Sequence, residues 1–359
     1  MSAERVQRWE AFFDAMKRGP AAPPWPVIEC TEDLVWATRA VRLCFQKSAA
    51  SIKEFDAFNK RKYGDPVWYR GEAMREKGSA LCPSVFRSDY YLRGVDGYRS
   101  TEKWMITEFW RKAVLRGVDC PPREDGLAWL ALAQHHGLPT RLLDWTESIL
   151  VAAWFAVGED ELRTAKRDLS EKKVDMTVLR QAMEDTLGLQ SKAVYGQLDE
   201  DCAKRVQECS VPNKTQTVIW ALSPSLMNWR LNEDGPFLFP KADDAIVRDA
   251  FTGDNKSEEK VCAIWQQPVH ARMVQQNAYF TIHGSEKSLI HINSSDDPQG
   301  PCFLYKLVIS PEARQSILED LLALGVSKST IYPGLDSLCV DVSERWKEIV
   351  QRIRSGQSP

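Results

Sequence analysis

The stretch LALAQHHGLPTRLLDWTESILVAAWFAV, from Leu130 to Val157, joins two apolar segments through a short polar centre. The first segment predicts a helix that ends before Gly137, because glycine takes the left-handed conformation at a helix end and the following Pro139 cannot continue the helix. Upstream, Asp125 is the expected N-cap of that helix. The second segment, SILVAAWFAV, has almost no polar face, which predicts a helix that is buried nearly all round.

The composition is that of a globular protein without a strongly charged partner. The chain has 359 residues, 43% of them hydrophobic and 27% charged, with a net charge of −3. This length suits one large domain with extensions, or two domains, and the charge does not favour binding to nucleic acid or to an anionic membrane. No apolar run reaches the roughly 18 residues of a membrane helix, and no signal peptide is recognised. A cytoplasmic location is therefore expected.

The nine cysteines are scattered along the chain and form no CxxC pair. This pattern argues against a zinc ribbon or a thioredoxin-like site, so no metal is expected and the thiols are expected to be reduced. The sequence also lacks GxGxxG and GxxxxGK[ST], which argues against Rossmann and P-loop nucleotide sites.

Strand-like runs and helical segments neither alternate regularly nor separate cleanly, which predicts a mixed α+β fold. The predicted strands are VWYRGEA from residue 67, TQTVIWALSP from 215, VCAIWQQP from 261, NAYFTIHG from 277 and FLYKLVIS from 303. The predicted organisation is an N-terminal helical extension (1–60), a main domain (61–345) with a charge-dense helical insertion (159–210), and a C-terminal helix end and tail (346–359). LCPSVFR, from residue 81, is interpreted as a loop, and Thr31 to Phe58 as a helix with Thr31 as its N-cap.

The polar centre of the opening stretch gathers groups that suit a ligand pocket. His135 and His136 lie in the last turn of the predicted helix, and their side chains point about 100° apart, so one is expected inward and one at the surface. The residues that follow form a turn beside this helix end, and the polar ones are Thr140, Arg141, Asp144, Trp145 and Thr146.

Structural interpretations of the same residues stay open. Arg141 and Asp144 could form an ion pair, His135 could be a satisfied core histidine, and Thr146 or Asp144 could cap the next helix. Arg70, at the end of a short strand, could be a surface cation. Its guanidinium could also bind a phosphate or carboxylate through two donors, with Gly71 letting the ligand approach the backbone.

Five segments of the chain, taken in order, resemble the FRG domain family. They are VWYRGEA, LAQHHGLPTRLLDWTESILVAAWFA, TVIWALSP, RMVQQNAYFT and STIYPGLDSL. That family takes its name from a phenylalanine or tyrosine followed by Arg-Gly, which here is Tyr69-Arg70-Gly71. The resemblance covers roughly Val67 to Leu338, outside which lie the N-terminal 60 residues and, as an insertion, the segment after Gly158.

A weaker similarity connects the chain to ADP-ribosyltransferases and implies a split-sheet core of that kind with flanking helices. Arg70 matches their first element, and Thr146 followed by AAWFA from Ala152 matches the second. Their third element carries a catalytic glutamate, but here Gln275 and Gln276 stand at about that place.

The similarity implies NAD as a substrate and gives each pocket residue a role. Arg70 holds the pyrophosphate, Tyr69 or Trp145 stacks on a planar ring, and Asp144 stabilises positive charge on the ribose. His135 is the candidate general base or acceptor-activating group. The remaining implied pocket residues are Gly71, Thr140, Arg141, Thr146, Arg272, Gln275 and Gln276, with Gln275 grouped with the catalytic residues.

Two functions remain open at this point. One is an ADP-ribosyltransferase or NAD glycohydrolase acting in bacterial stress, toxin or anti-phage defence. The other is a non-catalytic module that senses a nucleotide or binds a protein partner, with the 159–210 insertion or the N-terminal helices as the contact. The acceptor, the exact nucleotide and the oligomeric state are not specified by the sequence.

Overall fold

Seven strands form one mixed sheet in the order β1-β7-β4-β2-β3-β6-β5. The computed structural model describes residues 26–50, 66–73, 81–87, 97–116, 120–158, 216–231, 245–252, 261–264, 270–284, 289 and 302–354. The strands are β1 (Val27–Ile28), β2 (Trp68–Glu72), β3 (Leu142–Thr146), β4 (Thr217–Leu222), β5 (Val261–Ile264), β6 (Ala278–His283) and β7 (Leu304–Ile309). The β1–β7 pair is parallel and the other described pairs are antiparallel.

Eleven α-helices and two short 3-10 helices surround the sheet within the described residues. The α-helices are α1 (Thr31–Ala50), α2 (Ser84–Arg87), α3 (Gly97–Ala113), α4 (Gly126–His135), α5 (Ile149–Val157), α6 (Pro224–Leu231), α7 (Ala245–Thr252), α8 (Ala271–Gln275), α9 (Arg314–Ala323), α10 (Lys328–Ile331) and α11 (Leu335–Arg354). The 3-10 helices are Val114–Arg116 and Pro311–Ala313. The α+β class predicted from the sequence is therefore confirmed.

The predicted strands appear where the sequence places them, and their burial explains why. All residues of β4, β5 and β7 are buried, which accounts for continuous apolar runs rather than an alternating pattern. The segment LCPSVFR differs from the prediction, because its last four residues form the short helix α2 rather than a loop. Helix α1 is described from Thr31 to Ala50. The rest of the predicted helix (51–58), residues 1–25 and the predicted insertion (159–210) lie outside the described residues.

The largest correction concerns LLDWT, which the sequence presents as a turn and the structure shows as strand β3. This strand is central: it pairs with β6 along its whole length, from Leu142 opposite Ile282 to Thr146 opposite Ala278. It also pairs with β2 through Tyr69 and Thr146. Five residues between two helices carry too little periodicity to identify a strand whose partners lie more than 70 residues away in the chain.

Helix α5 packs directly against β2 at a glycine. A Cβ atom built on Gly71 would lie 1.8 Å from the carbonyl oxygen of Ala152 and 2.8 Å from the backbone nitrogen of Ala156. Gly71 therefore lets the α5 backbone approach the strand, and it does not open a path for a ligand as the sequence had suggested. The close contact fixes α5 relative to the strand that carries Arg70.

The ends of the helices beside the polar centre follow the predicted pattern, with one exception. The Asp125 side chain accepts a hydrogen bond from the Ala128 backbone nitrogen, as expected for an N-cap, and Gly137 has φ +82°, the predicted left-handed conformation. The exception is α5, because its N-cap is Ser148, whose side chain accepts from Val151, and not Thr146 or Asp144.

Candidate functional site

Arg141 belongs to the core rather than to a pocket. Its guanidinium and the Glu102 carboxylate are 2% and 1% exposed and are joined by several hydrogen bonds, the shortest being 2.6 Å from Nη2 to Oε2. A further hydrogen bond runs from Arg141 Nη1 to the carbonyl oxygen of Ile246. The ion pair of this residue is thus made with Glu102 and not with Asp144, and it joins α3, α7 and the start of β3.

Arg70 and Asp144 meet where β2 runs beside β3. Nη1 of Arg70 donates a hydrogen bond of 2.8 Å to the Asp144 carbonyl oxygen and lies 3.8 Å from Oδ2 of the same residue. Nε of Arg70 donates to Glu72 at 3.2 Å. The Arg70 side chain is 17% exposed, whereas that of Asp144 is 53% exposed. The Asp144 carboxylate is therefore held by the protein but remains accessible to a ligand.

A second group of contacts orients Asp144 from the end of α4. Gln134 Nε2 donates to Asp144 Oδ2 at 3.0 Å, and Thr140 Oγ1 donates to Gln134 Oε1 at 2.7 Å. Because each amide atom of Gln134 has its own partner, the orientation of this side chain is fixed. Thr140 is buried, so it holds Gln134 in place and does not itself face a ligand.

Arg272 brings a second cation to the same place from α8. Its Nη1 donates to the carbonyl oxygen of His135 at 3.3 Å, and its guanidinium lies 4.0 Å from the centre of the Tyr332 ring. Burial lowers the pKa of Arg272, while Tyr332 and the nearby Asp144 oppose that shift. Nε of Arg272 is buried and has no hydrogen-bond partner among the residues that the structure describes. Arg272 thus lies within electrostatic range of the carboxylate that Arg70 contacts.

Three of the five histidines form a cluster beside Arg272. The ring of His135 lies 4.9 Å from that of His136 and 4.1 Å from that of His270, measured between centroids. Nδ1 of His270 accepts a hydrogen bond from the Arg272 backbone nitrogen and so caps α8. Within the described residues, no group of three histidine, cysteine or acidic side chains has a geometry that would hold a metal ion.

The environment of His135 does not suit the role of general base. Burial, followed by the charges of Arg272 and His270, lowers the pKa of His135 to about 3, and the same causes lower the pKa of His136. An imidazole with such a pKa is neutral at physiological pH but accepts a proton poorly. His135, the last residue of α4, is partly buried, and His136, the C-cap, is exposed, so one ring faces inward and one the surface as predicted.

The aromatic residues that the sequence assigned to ring stacking lack an accessible surface. Trp145 and Tyr69 are each 2% exposed. Trp145 Nε1 donates to Thr281 Oγ1 at 3.1 Å, and burial raises the pKa of Tyr69 to about 12. Both side chains belong to the main hydrophobic core.

The remaining predicted residues connect α8 to its surroundings or face solvent. Thr146 Oγ1 donates to the Gln276 carbonyl oxygen at 2.6 Å, and Gln276 Nε2 donates to the Ile331 carbonyl oxygen at 3.2 Å. Gln275 is exposed at the end of α8. Thr146 and Gln276 therefore place α8, and with it Arg272, against β3 and α10.

A polar row continues from Arg70 across β4 to β7. Trp220 Nε1 donates to Glu72 at 3.2 Å, and Lys306 Nζ lies 5.8 Å from the centre of the Trp220 ring. Burial lowers the pKa of Lys306 to about 8, against the opposing effect of Glu72. Lys306 also donates to Gln216 at 3.0 Å.

Sequence reasoning missed the residues Gln134, Glu72, His270 and Lys306. Gln134 and Glu72 lie inside the two recognised motifs, LAQHHGLPTRLLDWT and VWYRGEA, so their position in the chain was a usable signal. His270 had a weaker signal, since it is one of only five histidines and directly precedes ARMVQ. Lys306 lies inside an apolar strand, where an isolated lysine indicates a polar partner on a neighbouring strand.

A comparison with protein families matches the part of the chain that carries Arg70 and Asp144. The family model for the FRG domain matches residues 65–165, a span that holds both β2 and β3. The chain contains an FRG domain. No curated protein and no solved structure matched the chain. Among the described residues, no helix is long and apolar enough to cross a membrane.

The matched span divides the site into two parts. Arg70, Gln134 and Asp144 lie within the FRG domain match, whereas His270 and Arg272 follow it by more than 100 residues. The FRG motifs therefore supply the carboxylate and one cation, and α8 adds the second cation from elsewhere in the chain.

Proposed function

We propose that this FRG domain binds a nucleotide that combines a phosphate chain with a cationic ring, and that NAD is its substrate. The observation that carries the proposal is the accessible Asp144 carboxylate, which lies 3.8 Å from Nη1 of Arg70 on β2 and interacts electrostatically with Arg272 on α8. NAD has matching charges, since its pyrophosphate is anionic and its nicotinamide ring is cationic. The similarity of the Arg70 and AAWFA elements to ADP-ribosyltransferases supports the same substrate.

The two arginines suit the phosphate chain in different ways. Arg70 uses Nε and Nη1 within the protein, and Nη2 makes no hydrogen bond to the described residues. A guanidinium held on one side presents its free donor in a fixed direction, which favours recognition of a phosphate oxygen. Arg272 contributes a second positive charge near Asp144, which would attract the anionic phosphate chain.

Asp144 then faces the ribose. Cleavage of the N-glycosidic bond breaks the C1′–N bond, the electron pair leaves with nicotinamide, and positive charge develops on the sugar. A fixed carboxylate stabilises that charge. Water attacks C1′, and after the C1′–O bond has formed the extra proton passes to bulk solvent. Because His135 accepts protons poorly, hydrolysis that needs no protein base fits this site better than transfer to an acceptor that a base must first deprotonate.

The second candidate is a non-catalytic nucleotide-sensing or protein-interaction module. The low pKa of His135 favours it, because a domain without a competent base can bind NAD and leave it intact. The replacement of the expected catalytic glutamate by Gln275 and Gln276 points the same way.

The test combines NAD binding with nicotinamide release. Wild-type protein is titrated with NAD by calorimetry, and free nicotinamide is measured by chromatography after incubation. Arg70→Lys and Asp144→Asn are compared with Arg111→Lys and Glu319→Gln, which change exposed residues on α3 and α9. The proposal expects the first two variants to lose at least tenfold in binding or release and the controls to match wild type.

The outcomes separate the candidates. Binding with release supports the enzyme, and binding without release supports the sensing module. No heat of binding and no release would contradict both. If release is found, expression in a bacterial host with NAD measurement tests whether the domain depletes NAD, as a toxin or anti-phage role requires.

A further inference from the structure

The C-terminal helix α11 turns its apolar face away from the domain. Its 20 residues extend about 30 Å. On one side, the Asp341 carboxylate accepts hydrogen bonds from Ser327 Oγ and from the Ser329 backbone nitrogen, both at 2.8 Å, and so attaches the helix to α10. The partly buried residues of this side include Ser337, Val340 and Glu344. A surface helix normally buries its apolar side instead.

The opposite side carries a regular apolar row, which we call the α11 seam. Its members alternate in steps of four and three: Leu335, Cys339, Val342, Trp346, Ile349 and Ile353. Leu335 is 78% exposed, Val342 60%, Trp346 62% and Ile353 55%. Alternating steps of four and three are the a/d repeat of helices that pair as coiled coils. Cys339 is also exposed and Ile349 is partly buried. A regular apolar row with five exposed members indicates an interface.

The charges of α11 are separated along its length. Residues 335–344 include three acidic and no basic residues, whereas residues 345–354 include four basic and one acidic. This distribution also suits the dipole of the helix itself. When two copies lie antiparallel, each acidic half faces the basic half of the other copy. A parallel pair would place like charges together.

We propose that α11 mediates an antiparallel homodimer of this chain, with the α11 seam as the interface. In the symmetric register, Leu335 lies opposite Ile353 of the second copy, Cys339 opposite Ile349, and Val342 opposite Trp346. Each layer then joins an a position to a d position, and all six seam residues find an apolar partner. The seam is self-complementary, so no other protein is needed to cover it.

The proposal does not depend on a nucleotide. A seam of six layers is at the small end of protein interfaces, so the dimer is expected to be reversible. Wild-type protein should shift from monomer to dimer with rising concentration in sedimentation equilibrium.

Seam variants test which surface is responsible. Val342→Glu and Trp346→Glu should each weaken the dimer at least tenfold, because both place a charge in the interface. Both residues are exposed in the monomer, so the melting temperature of the diluted protein should not change. Leu115→Glu is the matched control, since Leu115 is 83% exposed but lies outside the seam. A wild-type protein that stays monomeric at every concentration, or a dimer that resists both seam variants, would overturn the proposal.

Disulfide cross-linking tests the orientation. In the antiparallel register, Ile349→Cys places a thiol opposite Cys339 of the second copy, and mild oxidation should give a covalent dimer. Replacing Cys339 by serine in that variant should abolish the cross-link. A parallel pair would instead place the two Cys339 residues together, so cross-linking of the wild type through Cys339 would overturn the antiparallel arrangement.

Discussion

Arg70 and Arg141 both belong to FRG motifs and both contact carboxylates, yet their surroundings differ. Arg141 and Glu102 are fully buried and use several donors and acceptors on each other. Arg70 stands at the edge of an accessible site, where Asp144 is half exposed and Nη2 is free of described partners. The first pair joins elements of the fold, and the second leaves hydrogen-bonding capacity for a ligand.

The difference shows how the polar residues of one motif separate into two roles. In HHGLPTRLLDWT, Thr140, Arg141 and Trp145 are buried and fully engaged by the protein. Asp144 is the only exposed residue of β3. Burial, and not residue type, therefore indicates which member of the motif can meet a substrate.

The largest expected effect is at the buried pair. Arg141→Met leaves the Glu102 carboxylate buried without its cation, which should lower the free energy of unfolding by about 3–5 kcal/mol. Urea denaturation measures the change, and Arg111→Met on the exposed face of α3 is the control. The double variant Arg141→Met with Glu102→Leu should recover much of the loss, since neither charge then remains buried. A double variant as unstable as the single would contradict the role of the unpaired charge.

The second largest loss of stability is expected at Gly71, because a methyl group added there would collide with the backbone of helix α5. Gly71→Ala forces apart β2 and α5 and should cost about 1–3 kcal/mol or more. Gly137→Ala is the comparison, since Gly137 has φ +82° and open space around it, and the left-handed conformation alone should cost about 1 kcal/mol. Equal melting temperatures for the two variants would show that the strand–helix contact tolerates expansion.

The sequence predicts elements whose signals are local and misses those that depend on distant partners. Asp125 and Gly137 are recognisable because a cap acts within one helical turn, and β4 to β7 because each apolar run is long enough. The strand β3 and the Glu102 partner of Arg141 are not recognisable, since their partners lie 39 to more than 130 residues away. For the same reason, the sequence identifies Arg70 and Asp144 as candidates but does not show that they touch.

A smaller effect is expected from the histidine cluster. The pKa of His135 is lowered to about 3 in the folded protein, from an ordinary value near 6.5 in the unfolded chain. Above pH 6.5 both states are neutral and the stability is complete. As the pH falls below 6.5, the unfolded chain takes up the proton first, so stability is lost progressively towards pH 3.

After allowance for solvent screening, the free energy of unfolding should be about 1 kcal/mol lower at pH 5.5 than at neutral pH. His135→Asn removes the titrating group and should flatten this part of the pH profile of unfolding. If the free energy of unfolding falls with pH equally steeply in the wild type and in His135→Asn, groups other than His135 determine the pH dependence.

The smallest stability effect is expected for Arg70→Lys, and it gives the sharpest contrast with Arg141. A lysine at position 70 can still contact Glu72 or the Asp144 carbonyl, so the free energy of unfolding should fall by only about 0.5–1 kcal/mol. Arg141→Lys should cost more, because a single ammonium cannot replace the donors that Glu102 and Ile246 use. NAD binding should show the reverse order, with Arg70→Lys impaired and folded Arg141→Lys retained. If Arg70→Lys proves as destabilising as Arg141→Lys, Arg70 holds the fold together in the same way, and the distinction between a structural and a ligand-facing arginine fails.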